Sequence, residues 1–148
     1  MKNIDYKKGI RFKCQGSAKC CVSRGSYGFV YLSKKDIKRL SDYTSLKIYE
    51  FINLYCDKTE GFTHLKEKNK LGNCLFLDNN SCSVYNARPT QCRTWPFWPE
   101  NIKSKNWKEN ITKFCPGIGK GKIITKIEIQ KQIKEEENNE KNILKDSA

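Results

Sequence analysis

Eight of the chain's 148 residues are cysteines and one is a histidine. Cys14, Cys20 and Cys21 crowd one short segment, whereas Cys74, Cys82, Cys92 and Cys115 are spread through the second half, each beside a turn or a proline-containing loop. Thiolates carried on loops can converge from several directions, as a zinc ion or an iron–sulfur cluster requires of its ligands. Neighbouring side chains on extended backbone point to opposite sides and rarely chelate one tetrahedral ion together. Cys20 and Cys21 are therefore expected to serve different metal atoms, either two zinc ions or a cluster with more than one iron. The spacings match neither the paired C-x2-C units of a zinc ribbon nor the C-x2-C-x2-C run of bacterial ferredoxins. Two further residues of ligand type read differently. Cys56 falls in an apolar helical stripe and is expected to be a small buried side chain. His64 lies in a probable-strand pattern, Thr63-His64-Leu65, and reads as structural, with metal ligation as its alternative.

The elements that must position these residues are short. Tyr27 to Leu32 reads as a strand from its aromatic and β-branched residues. Ser33 and Asp36 fit a capping box opening a helix that ends near Leu40 or Ser41. A second helix is expected from Ser45 to Tyr55, with Ile48, Tyr49, Ile52 and Tyr55 facing the core. Beyond Gly61, short strands are expected at Phe62–Leu65, Cys74–Leu77 and Cys82–Tyr85, with Asn79-Asn80 turning a hairpin. Asn86 to Pro99 carries three prolines and reads as irregular, held by the packing of Trp95, Phe97 and Trp98. Trp107 to Phe114 reads as a short helix. Gly117 to Gly121 lacks the full pattern of a phosphate loop and reads as a flexible turn. The expected fold is a small α+β single domain, with short helices, short antiparallel strands and cysteine-bearing loops around a metal centre. Residues 1–122 form its cysteine-cluster domain and 123–148 a charged, helical, peripheral tail.

Composition narrows the partners. With 37% hydrophobic and 30% charged residues the chain is globular but polar, so metal is a natural source of reinforcement. Its net charge of +13 would suit an acidic partner or nucleic acid. The positive charges, however, run from Lys2 to Lys145 without forming a block, and lysine far outnumbers arginine, as AT-rich codon usage alone would give. Met1 to Gly16 holds no apolar run of signal-peptide length, and no later stretch approaches a membrane span. A cytosolic location is expected, where thiols stay reduced and clustered cysteines point to metal more than to disulfides.

Several motifs, in order, carry a resemblance. They are Phe12-Lys13-Cys14 with Cys20-Cys21; Val30-Tyr31-Leu32-Ser33 with Asp36; Cys74-Leu75-Phe76-Leu77 with Cys82-Ser83-Val84-Tyr85; Arg88-Pro89, Cys92-Arg93 and Trp95-Pro96-Phe97; and Cys115-Pro116-Gly117. On these the chain resembles the YkgJ-like cysteine-cluster family, described as chelating zinc or iron, from about Phe12 to Lys120. The resemblance implies Cys14, Cys20, Cys21, Cys74, Cys82, Cys92 and Cys115 as metal ligands. Many members carry a further cysteine where this chain has Ser17. Either Cys56 or His64 takes that place, or the site has fewer protein ligands and a position open to water or substrate. Arg93 is a candidate to hydrogen-bond the thiolates from outside the ligand set, and Arg88 to do the same or to fix the turn before Pro89. Trp95, Phe97 and Trp98 are expected to shield the site and fill the core. The function implied is metal binding, through zinc or an iron–sulfur cluster. An alternative is a metal- or cluster-dependent enzyme, redox or protein-modifying, because a relative of the domain occurs in flagellin lysine methylases. A second alternative is a zinc-stabilised RNA-binding module.

Overall fold

The structure, a computed structural model, describes residues 2–13, 29–66, 77–78, 81–115 and 117–147. Ser33 opens helix α1 (Lys34–Tyr43), its Oγ accepting the Asp36 N–H at 3.1 Å. Only half of the expected capping box forms, because the Asp36 carboxylate turns inward instead of back to the cap. There Oδ1 accepts from the Arg39 guanidinium at 2.7 Å and from the Thr90 hydroxyl and N–H at 2.8 and 3.1 Å. Asp36 is fully buried, and its Oδ2 has no hydrogen-bond partner among the described residues. Helix α2 (Ile48–Tyr55) starts later than expected, after Ser45 takes a positive φ of 59°. Its buried face also differs from the one expected. Phe51 is the buried residue, flanked by partly buried Ile52 and Tyr55, while Ile48 and Tyr49 are exposed. Phe51 meets Tyr55 one turn on, at 5.2 Å between ring centroids, so the stripe that packs on α1 is rotated from the Ile48–Tyr49 side.

Cys56 ends α2 in extended conformation and begins β2 (Cys56–Thr59), so it belongs to a strand and not to the helical stripe. Strand β2 pairs antiparallel with β3 (Phe62–Leu65) through Glu60 and Gly61, both at positive φ. Two left-handed residues make the tight turn that suits the twist of a hairpin. Of the strand expected over Tyr27–Leu32, the described part is a single Tyr31–His64 bridge. Hydrogen bonds from Leu32 N–H to Thr63 O and from Leu65 N–H to Val30 O flank it, at 3.0 and 2.9 Å. These elements enclose a first core around Leu32, Leu40, Phe51 and Leu65. Beyond them, β4 (Leu77–Asp78) and β5 (Ser81–Cys82) pair antiparallel as a hairpin about Asn79-Asn80 requires, but the strand expected over Cys82–Tyr85 ends at Cys82, where the chain turns into a 3-10 element. A 3-10 turn (Tyr85–Ala87) and a short helix α3 (Thr90–Thr94) then occupy part of the stretch expected to be irregular.

A second core gathers Phe97, Ile102, Trp107, Ile111, Ile129 and Ile133. The expected helix at Trp107–Phe114 is the middle and end of a longer helical run: α4 (Ser104–Asn106), a π turn (Trp107–Ile111) and α5 (Thr112–Phe114). The stretch read as a flexible glycine turn lies largely in β6 (Ile118–Ile124), which pairs antiparallel with β1 (Ile10–Phe12). The register jumps from Arg11↔Ile123 to Phe12↔Ile118, and the bulged-out stretch holds Gly119 and Gly121 at φ of 89° and 72°. Glycine is needed there because a side chain resists that conformation. Helix α6 (Lys126–Asp146) is capped by Thr125, whose Oγ1 accepts the Glu128 N–H at 3.2 Å. It is helical as expected but not peripheral: Ile129 and Ile133, one turn apart, are buried in the second core, and α6 packs against α3 and α1. The whole is an α+β arrangement of short helices and one long one, α6, with three two-stranded antiparallel sheets among the described residues.

Candidate metal centre

The seven candidate ligands fall in three groups. Cys14, Cys20, Cys21 and Cys74 lie outside the described residues. Cys82 is placed on β5, where it pairs with Leu77. Cys92 lies half-buried on α3, packed against the first core, and Cys115 is buried directly after α5. Cys56 and Cys115 are free thiols. Among the described residues no three side chains of ligand type gather closely enough to hold a metal ion.

The described residues that flank the cysteine segments are nonetheless anchored, and each anchor is beside a candidate ligand. Lys13, which precedes Cys14, donates its N–H to the Gly117 carbonyl at 3.1 Å, two residues beyond Cys115. Gly117 is required by this approach, because a Cβ there would run into the Lys13 carbonyl oxygen. At the other end of the 14–28 stretch, the Gln91 side chain clamps the chain. Its Nε2 donates to the Phe29 carbonyl and its Oε1 accepts the Tyr31 N–H, both at 3.1 Å. Gln91 is the immediate neighbour of Cys92. Leu77, three residues after Cys74, pairs with Cys82. The surroundings of Cys92 and Cys115 also meet, since Trp95 packs edge-on against Phe114 at 5.9 Å. Gln91 and the carboxylate of Asp36 were missed as positioning groups. Both act across 54 to 62 residues of sequence, where no local pattern signals them.

The remaining candidates are occupied. Cys56 is buried in the first core, and burial, with Asp57 adding repulsion, pushes its thiol up to about 11. Burial thus keeps this thiol protonated in the fold, as for a small apolar side chain. His64 is buried and stacks on Phe29 at 3.9 Å. The Leu65 carbonyl, 2.9 Å from Nδ1, can only accept, so Nδ1 donates; Nε2 faces the Thr59 hydroxyl at 2.7 Å. Both ring nitrogens are thereby used. The Arg93 guanidinium makes a bidentate pair with Glu135 of α6, at 2.7 and 2.8 Å, which holds its pKa up. Arg88 donates from Nε to the Tyr85 carbonyl at 3.0 Å and lies 3.9 Å over the Tyr85 ring, fixing the turn before Pro89. Phe97 is fully buried, and the Trp98 indole N–H is shared between Gln91 O and Thr94 Oγ1, so these aromatics serve packing.

A small cysteine-rich α+β domain is the class these features define. Residues 13–116 match the CxxCxxCC family, described as "Putative zinc- or iron-chelating domain", and the chain belongs to this family. Two uncharacterised proteins of Methanocaldococcus jannaschii are similar to it. One is 28% identical over 129 residues, covering 80% of this chain and 65% of the relative. The other is 33% identical over 126 residues, covering 81% and 41%. The chain thus spans less than two thirds of the length of these curated relatives. No solved structure matches it. No helix among the described residues is long and apolar enough to cross a membrane.

Proposed function

We propose that the chain is a metal-binding protein that holds zinc or an iron–sulfur cluster through Cys14, Cys20, Cys21, Cys74, Cys82, Cys92 and Cys115. The observation that carries this reading is the Lys13–Gly117 hydrogen bond, which starts the Cys14–Cys21 segment two residues from Cys115. The Gln91 clamp supports it by returning that segment beside Cys92. The donor set is consistent with either metal, because thiolates bind both and availability decides between them. Such a centre would organise the domain and could carry electrons or be passed on as cargo.

The chain's own residues have distinct tasks in this reading. Asp36 holds the first turn of α3 through Thr90, and so fixes the element that carries Cys92. Gly117 lets the β1 and β6 backbones meet at the entry to the N-terminal cysteines. Residues 1–122 form the metal-binding unit and α6, in 123–148, braces it. A cytosolic setting would keep the thiols reduced.

Single substitutions test the ligand set. Cys20→Ser, Cys21→Ser, Cys92→Ser and Cys115→Ser are each expected to lower metal content, because serine is a far poorer ligand for soft metals. Cys56→Ser should leave it nearly intact. Full metal retention in Cys21→Ser would refute separate metal atoms for the adjacent pair, and equal loss in a still-folded Cys56→Ser would bring that residue into the site.

A further inference from the structure

A cavity of about 700 Å³ lies on the side of the fold where α6, the β2–β3 turn and the Trp98–Glu100 turn meet. It shares Phe29, Tyr31 and Gln91 with the clamp beside Cys92. Phe29, Tyr31, Phe62 and Trp98 give it aromatic walls. Its acidic groups come from separate elements: Glu60 from the hairpin turn, Glu100 from the turn after Trp98, and Glu136 and Glu140 from α6. Among the described residues, no lysine, arginine or histidine lines it. In a chain with 29 Lys and Arg against 16 Asp and Glu, a cavity walled by four carboxylates and, among the described residues, no cation is contrary to composition and marks a place for positive charge.

Glu136 is the buried member of this acidic set. The residue is only 4% exposed, and its Oε1 accepts from Asn139 at 3.1 Å and from the Thr94 hydroxyl at 3.4 Å. The side chain lines the cavity. Burial pushes this carboxyl up to about 7, and Glu140 and Glu100 add repulsion. A bound cation would relieve both.

The spacing of the carboxylates decides what kind of cation. They do not form a cluster of three that could hold one metal ion. Carboxylates distributed around aromatic walls instead match several ammonium groups joined by an alkyl stem, with each charge near a carboxylate or a ring face and the methylenes against the rings. We propose that this cavity is a binding site for a linear aliphatic polyamine. It is separate from the metal reading and does not depend on it.

The test is calorimetric titration of the full-length, metal-loaded protein with spermidine at low ionic strength and mildly alkaline pH. Butylamine and magnesium serve as comparison titrants. Saturable one-to-one binding is expected, at least tenfold tighter for spermidine than for either comparison. Glu100 and Glu140 are exposed, so E100Q/E140Q should fold normally and bind at least tenfold more weakly. The charge-matched pair E109Q/E128Q, at exposed positions that do not line the cavity, should stay within twofold of the parent. Absence of saturable spermidine binding would overturn the proposal. So would magnesium binding as tightly as spermidine, or equal weakening in the E109Q/E128Q control.

Discussion

Replacing Glu136 by glutamine should make the protein more stable at neutral and alkaline pH, by an amount that vanishes in acid. Glutamine keeps the Oε1 acceptor for Asn139 and Thr94 but removes the charge that burial opposes. The carboxyl is raised from 4.5 to about 7 in the fold, so the unfolded chain releases this proton before the folded one does. The carboxylate is therefore harmless below about pH 4.5, penalises folding progressively as pH rises towards 7, and costs its full amount above 7. That gap corresponds to at most ~3 kcal/mol at about pH 8 and to ~1.4 kcal/mol at about pH 5.5. For a chain of this size, ~3 kcal/mol is about 5–10 °C in Tm. Urea unfolding of both proteins at the two pH values measures it, and any acid loss of metal cancels in the difference between them. A stability gap independent of pH, or a parent that gains on the variant as pH rises, would refute the reasoning about this buried carboxyl.

Four further substitutions probe the framework. Gly117→Ala forces a Cβ against the Lys13 carbonyl oxygen and should cost about 1–3 kcal/mol in thermal unfolding while lowering metal content, because it pushes β1 from β6 beside Cys115. Asp36→Ala leaves Thr90 and Arg39 without their acceptor and should destabilise by about 2–4 kcal/mol, read by urea denaturation; an effect under 0.5 kcal/mol would mean that the α1–α3 tie is of no consequence. Ile129→Ala, at a fully buried position, should cost about 2–5 kcal/mol, whereas Ile127→Ala, at an exposed one, should change little.

Legibility in the sequence followed the range of the interactions. The Ser33 cap, strand β3 and the pairing of β4 with β5 rest on residues close together in the chain, and each was readable from local pattern. The β1–β6 ribbon was not. It joins Ile10 to Ile124 through a bulge whose glycines, seen alone, look like a turn. The face of α2 was misjudged because two turns of helix rich in apolar residues offer more than one stripe, and only packing on α1 selects Phe51. Helix α6 carried a usable signal in the one-turn spacing of Ile129 and Ile133, with Glu136 and Asn139 continuing the buried side, but its charge content concealed it. The ligand set came from motif order, and geometry now adds the anchors at Lys13, Gln91 and Leu77. The acidic cavity could not be read at all, since its walls come from five stretches that only the folded chain brings together.

The central claim is that these cysteines bind metal. The most direct measurement is elemental analysis with a visible absorption spectrum on protein purified anaerobically, for the parent chain beside Cys115→Ser. The parent should carry near-stoichiometric zinc and be colourless, or carry iron with sulfide-to-iron absorption, and Cys115→Ser should lose most of either. A folded parent chain with less than about one tenth of a metal atom per molecule, and all eight thiols free to react, would contradict the account.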